Sequence, residues 1–545
     1  MFNSAFQSLA DAAGAPVDYI KLFVCLLASF PLSTVYARLP SPNAKHLYSL
    51  VVSTIFFVPI LELRWGFFQL VATSLVTYFI CLNRIGGRKM GWLVFGLQMG
   101  HLTCNHIYRQ FGNIPLTTIE ITSMQMVSTM NLTTFAWDCF DGQIRTADEC
   151  DESQKKTRIT QMPSLLEFLG YIFYAPGVLI GPSTRFADYR AWSNGSLFAS
   201  PKGKEKANED GQRLPPGRIA AACQELAIGL GFMAIYSTIA PGYGYERLIG
   251  ADGGFDGYKW YQRILYVQAA GFMARTKYYG IWSLTNGACV MSGLGYYGID
   301  PATGKTKWNR CRNVDIASIE FANNWKELLD AWNMNTNVWL RNNVYKRIAR
   351  PGKKPGFKST MTTFLTSAFW HGLAPGYYLS FFLAGFMQSA ARTLRKHLRP
   401  MVFKDARAPN PTFSTLGSYT VPQLLFCAVS VAGVQLTLNY AVAPFMLLDF
   451  GASIRGWKSV YFYGHLLTAA VLLSFQAGAG RYLDRISGRP KRAKEVGAGF
   501  ATGYTTGADS DAETASRAAR KAATAKTEFK RDADNVTSLA PEPIS

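Results

Sequence analysis

His371 is the side chain whose surroundings most clearly suggest chemistry. It lies within residues 359–391, a stretch of 33 residues that contains no Asp, Glu, Lys or Arg. An ionisable side chain inside such an apolar stretch is costly and by default marks a functional site. Desolvation would keep the imidazole neutral and therefore able to accept a proton as a general base. A histidine that is hydrogen-bonded within the core, or one that serves gating or transport, is the alternative.

A second group of polar side chains lies in residues 321–345, which read FANNWKELLDAWNMNTNVWLRNNVY. The tryptophans recur every seven residues, which predicts one amphipathic helix on or partly in a membrane. Asn333, Thr336 and Asn337 fall at positions i, i+3 and i+4 and would share one face of that helix. A hydrogen-bonded helix contact explains Asn333 as well as a chemical role does. We expect Pro351 to end the helix.

Basic residues follow this helix. Residues 341–358 contain seven Lys and Arg side chains, beginning with Arg341, and no acid. Such a cluster suits phosphate binding. It is equally typical of a cytosolic loop that sets membrane topology and contacts anionic lipid.

Membrane helices must position these groups. Eleven stretches without Asp, Glu, Lys or Arg run through the chain, and most are near the roughly 20 residues that a spanning helix needs. They show no period-two alternation, so they predict an all-α polytopic bundle of about ten to twelve helices, some broken or re-entrant. Gly372 and Pro375 predict a break within residues 359–391. If the basic loops on both sides are cytosolic, His371 lies deep in the membrane at that bend.

Composition sets the protein class. Of 545 residues, 49% are hydrophobic and only 17% are charged, although the net charge is +21. This balance argues against a nucleic-acid partner and excludes a secreted disulfide scaffold and general disorder. We expect a membrane domain at residues 1–490 and a disordered basic and polar cytosolic tail at 491–545. Cys139 and Cys150 are either free thiols or a disulfide. His101 and His106 lie about 140° apart on a helix, so no metal site is expected.

Two motifs resemble a known family. The pattern W-N-x-x-T-x-x-W-L-x-x-x-V-Y at residues 332–345, followed by S-A-F-W-H-G-x-x-P-G-Y-Y at 367–378, resembles the membrane-bound O-acyltransferases, specifically the lysophospholipid acyltransferase branch. Residues 168–189 and 275–298 support the resemblance, which covers roughly residues 15–480. It implies that family's helical fold for the membrane domain. It also implies a catalytic pair, His371 as general base with Asn333, which either orients a reacting group or stabilises an oxyanion.

The resemblance further implies substrates and a location. The enzyme would transfer an acyl group from acyl-CoA to the free glycerol hydroxyl of a lysophospholipid. It would act in the endoplasmic reticulum membrane, in contact with membrane lipids, and would need no cofactor besides the co-substrate acyl-CoA. The phosphates of CoA would bind to the basic segment, and the acyl chains would lie in a tunnel lined by aromatic rings. Each of these rings is equally suited to contact with membrane lipid or to packing in the protein core. The substrate-binding residues that we expect are Trp332, Thr336, Asn337, Trp339, Arg341, Trp370, Tyr377 and Tyr378. A different acceptor (sterol, diacylglycerol or protein) and a non-enzymatic transporter are the alternatives.

Overall fold

A computed structural model describes residues 3–115, 118–199, 214–250, 254–301, 303–348, 357–405, 410–411 and 415–487. In these ranges the chain is almost entirely helical, and its strands form one short hairpin. The expected all-α architecture is therefore confirmed. The tail predicted at residues 491–545, and Pro351 as the end of a helix, lie outside the described residues.

The N-terminal part of the fold is a series of helices joined by short connections. Its helices in the described ranges are α1 (Asn3–Ala13), α2 (Val17–Val35), α3 (Pro42–Ile55), α4 (Arg64–Leu82), α5 (Met90–Phe111), α6 (Thr122–Gln143), α7 (Glu152–Thr157), α8 (Leu165–Ile172) and α9 (Phe186–Ser193). A π-helical turn, Phe56–Ile60, continues α3. Ser41 and Ser164 accept hydrogen bonds from backbone amides at the starts of α3 and α8, at 3.2 and 3.1 Å. These caps satisfy amides that a helix start leaves unpaired.

The middle part contains a long helix and several short ones. Its helices are α10 (Arg218–Thr238), α11 (Trp260–Ser292), α12 (Ile316–Glu320), α13 (Trp325–Ala331), α14 (Met334–Leu340) and α15 (Lys346–Ile348). A π-helical turn, Arg341–Tyr345, joins α14 to α15. Strands β1 (Gly298–Ile299) and β2 (Thr306–Lys307) pair antiparallel, with Gly298 opposite Lys307. At 33 residues, α11 is about 50 Å long and brings residues from distant loops together.

The C-terminal part contains the predicted break around His371. Its helices are α16 (Phe357–His371), α17 (Pro375–Val402), α18 (Val421–Leu447), α19 (Phe450–Ser459), α20 (Tyr463–Gln476) and α21 (Ala479–Ile486). The three residues between α16 and α17 confirm the break expected from Gly372 and Pro375. Short 3-10 turns lie at Tyr36–Arg38, Gly87–Lys89, Ser196–Phe198, Ala240–Tyr243, Tyr245–Ile249 and Leu416–Ser418.

Several helices are suited to a membrane. In the described ranges α2, α4, α10 and α18 are each long and apolar enough to cross one, and the pair α20 and α21, which meet at 73°, makes a fifth if it is one broken span. Exposed apolar side chains such as Trp65 and Phe68 on α4 and Val429 on α18 suit contact with lipid. Other predicted spans correspond to helices that are short, such as α3 and α16, that carry several charges, such as α11, or that are long but less apolar, such as α5. That these also cross stays a prediction.

Aromatic and aliphatic side chains form separate packing clusters. One cluster joins α3, α4, α6, α8 and α9 around buried rings such as Phe135 and Phe168. Another joins α11, α13, α17, α18 and α19 around Tyr279 and Tyr440. A smaller cluster around Trp370 forms where α5, α6, α14 and α16 meet. Packing of this kind fixes α14 and α16, the two elements that carry the sequence motifs, against the rest of the bundle.

Candidate active site

A cavity of about 1040 Å³ lies among α2, α5, α6, α10, α11, α13, α14, α16, α17 and α18. Its walls are mostly apolar, with side chains such as Met126, Leu328 and Phe445. His371 and Asn333, the two residues singled out from the sequence, both line it. An apolar cavity with a few polar groups is the usual form of a binding site for an organic ligand.

His371 is the last residue of α16, and the chain turns directly after it at Gly372, whose φ is 132°. Aromatic rings surround its imidazole, with centroids 4.7 to 5.6 Å away: Trp370, Tyr377, Phe381 and Phe445. Among the described residues no side chain or carbonyl forms a hydrogen bond with either ring nitrogen. The imidazole is therefore held by ring contacts, and its nitrogens are left for a ligand in the cavity.

His106 on α5 supports the turn that follows His371. Its Nε2 donates a hydrogen bond to the carbonyl oxygen of Trp370 at 3.2 Å, so this nitrogen carries a proton. A Cβ added to Gly372 would lie 3.4 Å from its Nδ1, which shows how closely the imidazole meets the turn. No local sequence signal predicts this contact, because the two partners are 264 positions apart. In the sequence, the five-residue spacing between His101 and His106 is informative about metal binding and gives no indication of this contact.

Asn333 lies at a break between α13 and α14, with φ of 44° and ψ of 54°. The prediction of one continuous helix over residues 321–345 is therefore wrong. Helix α13 ends at Ala331, Trp332 is extended with φ of −98° and ψ of 127°, and α14 begins at Met334. Asparagine tolerates this left-handed conformation better than most residues. The break places Asn333 ahead of the helix and in the wall of the cavity.

Asn313, in the loop before α12, fixes which way the Asn333 amide points. Its Oδ1 accepts a hydrogen bond from the backbone amide of Asn335 at 3.0 Å, so its Nδ2 must be the atom that donates to Asn333 Oδ1, at 3.2 Å. The Thr336 hydroxyl donates to the same Oδ1 at 2.8 Å. With its oxygen occupied by two donors, Asn333 has its Nδ2 left as a donor without a partner among the described side chains.

The sequence matches known proteins over most of its length. Residues 48–431 match the membrane-bound O-acyltransferase family. The chain belongs to this family. The match spans both motifs and confirms the resemblance inferred from them, so the protein is an O-acyltransferase.

Relatives of this acyltransferase occur in fungi and animals. It is 37% identical over 491 residues to a lysophospholipid acyltransferase of Saccharomyces cerevisiae, covering 88% of this chain and 77% of that protein. A lysophospholipid acyltransferase of Schizosaccharomyces pombe is 35% identical, over 89% of this chain and 91% of its own length. The human membrane-bound glycerophospholipid O-acyltransferase 2 is 28% identical, over 86% and 87% of the two chains.

Four of the expected substrate-binding residues line the cavity of the acyltransferase: Trp332, Thr336, Trp370 and Tyr377. The Trp332 ring packs on the rings of Tyr278 and Trp282, at 5.5 and 5.1 Å. Trp370 donates its Nε1 to the carbonyl oxygen of Met126 at 3.1 Å. Both tryptophans are thus fixed beside the two catalytic candidates that follow them in sequence.

The other four are not among the described residues that line the cavity: Asn337, Trp339, Arg341 and Tyr378. Asn337 of α14 donates to the carbonyl oxygen of Leu329 in α13 at 2.8 Å, across the break at Asn333. Trp339 is buried, with its Nε1 donating to Thr133 at 2.8 Å. Trp339 is thus bonded to a residue outside the cavity lining, and the Asn337 amide is bonded to the backbone of α13.

The basic segment of the acyltransferase is partly neutralised within the protein. The Arg347 guanidinium donates to both carboxylate oxygens of buried Asp141, at 2.8 and 2.5 Å. Lys346 pairs with Asp151 at 2.9 Å. These carboxylate partners reduce the positive charge that is available to the phosphates of CoA. Binding of CoA by the basic segment therefore stays a prediction. Its further residues at positions 350, 353 and 354 lie outside the described chain.

The two cysteines considered for a disulfide are free thiols. Cys139 contacts the Met162 sulfur at 3.7 Å, and Cys150 donates to the carbonyl oxygen of Asp141 at 3.6 Å. Each thiol thus contacts a different neighbour, and the two cysteines are free thiols and do not form a disulfide.

Proposed function

We propose that this acyltransferase moves the acyl group of acyl-CoA to the free glycerol hydroxyl of a lysophospholipid, with His371 as the general base. The observation that carries the proposal is that His371 and Asn333, which lie in separate motifs, line one mostly apolar cavity of about 1040 Å³. A cavity of this size and polarity suits lipid chains. The names of the two yeast relatives support a lysophospholipid as the acceptor.

The reaction begins with a hydroxyl that is a poor nucleophile until a base removes its proton. A ring nitrogen of His371 accepts that proton while the hydroxyl oxygen attacks the carbonyl carbon of the thioester. The tetrahedral intermediate collapses, the carbon–sulfur bond breaks, and the imidazolium returns its proton to the CoA sulfur. The products are a phospholipid and free CoA. Direct transfer of this kind requires no acyl-enzyme and no further cofactor.

Asn333 donates a hydrogen bond from its Nδ2 to the oxyanion of the tetrahedral intermediate. The support for this role is that Asn313 and Thr336 both donate to its Oδ1, while Nδ2 has no partner in the part of the chain that the structure describes. A donor bonded to the proton-accepting nitrogen of His371 would instead block the general base. Oxyanion stabilisation is therefore favoured over orientation of the imidazole.

The surroundings of His371 suit a reaction that must exclude water. Its aromatic neighbours replace solvent around the imidazole, and bulk water would otherwise hydrolyse the thioester. We place this multi-pass membrane protein in the endoplasmic reticulum membrane, where fluorescence microscopy of the tagged full chain against a reticulum marker tests the location.

An acceptor panel tests the proposed reaction. The purified full chain, in lipid nanodiscs, receives labelled oleoyl-CoA and one acceptor at a time: lysophospholipids of different headgroups, cholesterol or diacylglycerol. We expect label in phospholipid and none in sterol ester or triacylglycerol. Label in a sterol ester or triacylglycerol without phospholipid would overturn the acceptor. Label only in free fatty acid would overturn acyl transfer.

A further inference from the structure

We propose that Lys277 binds the phosphate of the lysophospholipid headgroup in the wall of the cavity. This inference rests on the proposed function, because it takes a lysophospholipid as the acceptor. Lys277 lies near the middle of α11 and lines the cavity together with Tyr19 of α2, Arg109 of α5 and Tyr236 of α10. Residues of three other helices therefore line the cavity together with this lysine.

Within the described ranges, Lys277 differs from the other cations of the cavity because it has no carboxylate partner. Arg275 is paired with Glu320 through hydrogen bonds of 2.8 Å. Arg109 is paired with Glu120 at 2.7 Å. Among the described residues that line the cavity, Lys277 is the one cation for which neither an ion pair nor a hydrogen bond to a carboxylate is present.

The cavity wall offers little else to balance this charge. Among the described lining residues the one carboxylate is Asp449, whose Oδ1 accepts from the Ala452 amide at 2.7 Å and caps α19. The Lys277 ammonium instead lies over the rings of Tyr19 and Tyr236, with its Nζ 5.4 and 5.8 Å from their centroids. Such cation–π contacts hold an ammonium in place without neutralising it. An unneutralised cation in an apolar cavity is costly, so it points to an anionic group of the ligand.

The position of Lys277 relates it to the reacting groups. The next residue, Tyr278, packs its ring on Trp332, which precedes Asn333. Arg109 follows His106 by three residues, about 4.5 Å along α5, and His106 bonds the carbonyl oxygen of Trp370, which precedes His371. The cationic side chains thus belong to the same helix segments that contact the two catalytic motifs.

The two substrates carry their phosphates at different distances from the reacting groups. In a lysophospholipid the free hydroxyl and the phosphate ester occupy neighbouring carbons of glycerol. In acyl-CoA the whole pantetheine arm separates the thioester from the first phosphate. Because Lys277 lines the same cavity as both catalytic motifs, it suits the lysophospholipid phosphate, whereas a CoA phosphate would lie farther from the reacting carbonyl.

Steady-state kinetics of the full chain test the site. Lys277→Met removes the charge but keeps a long apolar side chain. Because hydrogen bonds to charged groups are among the strong ones, we expect it to raise KM for lysophosphatidylcholine about tenfold or more. The kcat and the KM for oleoyl-CoA change less than twofold. Lys277→Arg retains most of the affinity, and Lys458→Met, an exposed lysine of α19 outside the cavity, changes neither constant.

Each outcome bears on one proposal. A KM for lysophosphatidylcholine that Lys277→Met leaves unchanged would refute the phosphate site while leaving the acyltransferase reaction intact. A rise in the KM for oleoyl-CoA instead would assign the ammonium to CoA and overturn the inference. A wild-type chain that transfers to no lysophospholipid would refute the proposed function itself.

A competition experiment needs only the wild-type chain and remains decisive if Lys277→Met fails to fold. Dodecyl phosphate carries the anion on a single chain, and dodecanol carries the chain alone. We expect dodecyl phosphate to inhibit competitively against lysophosphatidylcholine, at least tenfold more strongly than dodecanol. Equal inhibition by the two compounds, or competition against oleoyl-CoA, would overturn the inference.

Discussion

Asn313 donates its Nδ2 to the Oδ1 of Asn333 at 3.2 Å, across twenty positions of sequence. Its own Oδ1 accepts from the backbone amide of Asn335, and its carbonyl oxygen accepts from the backbone amide of Met334 at 2.9 Å. One residue thus satisfies amides at the start of α14 and turns the Asn333 amide so that its donor is free. We regard Asn313 as a positioning residue for the oxyanion donor.

Removing Asn313 should affect activity through Asn333. We expect Asn313→Ala to lower kcat about tenfold, because the loss of one hydrogen bond lets the Asn333 amide rotate. The same substitution in an Asn333→Gly background should have little further effect on kcat, since the group it positions is gone. Asn83→Ala, an exposed asparagine on α4's C-terminal side, serves as the control. If the fold-losses in kcat of the two single variants multiply in the double variant, Asn313 does not act through Asn333.

Asn333 itself can be separated into backbone and side-chain contributions. Because φ is 44°, glycine fits this position without strain, whereas alanine in a left-handed conformation costs about 1 kcal/mol or more. Asn333→Gly should therefore unfold at a higher temperature than Asn333→Ala. Both should lose about 100- to 1000-fold in kcat, the usual effect of deleting an oxyanion donor. A Gly variant with wild-type kcat would exclude the amide from catalysis.

Gly372 is required by its backbone conformation. Its φ of 132° is unfavourable for any side chain, and an added Cβ would lie 3.4 Å from His106 Nδ1 and from the Tyr377 ring. We expect Gly372→Ala to cost about 1–3 kcal/mol in stability and to lower kcat by displacing His371. The matched control is Gly96→Ala on α5, where an added Cβ meets nothing within 4 Å. Thermal unfolding followed by intrinsic fluorescence compares them, and equal unfolding temperatures would contradict this account.

Asp141 joins the basic segment to α6. Its carboxylate is almost fully buried and accepts from Arg145 at 2.8 Å as well as from Arg347. Asp141→Asn leaves both guanidinium groups without their anion, so we expect about 3–5 kcal/mol of destabilisation, measured by thermal unfolding. Glu152→Gln removes one partner of an exposed pair with Lys155 and should change stability by about 0.5 kcal/mol or less. A similar effect of the two substitutions would contradict the importance assigned to the buried pair.

The break beside His371 could be predicted because its signals are local. Gly372 adopts a φ that other residues avoid, and Pro375 occupies the first position of the next helix, where proline is favoured. The lack of charge over residues 359–391 likewise predicts an apolar setting for His371. Motif, helix and break thus agree at this position.

The break at Asn333 could not be predicted in the same way. Residues 321–345 contain neither proline nor glycine, and their tryptophan spacing favours one helix. The helix is interrupted where Asn313, from a distant loop, supplies oxygen atoms that accept hydrogen bonds from the amides of Met334 and Asn335. Tertiary contacts here outweigh the local preference for a continuous helix. They also determine which of the expected residues line the cavity: Trp332 does, whereas Trp339, seven residues later, packs against Thr133.

The kcat of His371→Ala for transfer from oleoyl-CoA to lysophosphatidylcholine tests the central claim most directly. Alanine removes the proton acceptor and keeps the helix end, so the protein should still be purified as a folded membrane protein. Loss of a general base should lower kcat by about 10²–10⁴-fold. The matched control, His397→Ala, alters a histidine that pairs with Asp484 and does not line the cavity, and it should leave kcat unchanged. A folded His371→Ala protein with the kcat of the wild type would contradict the account.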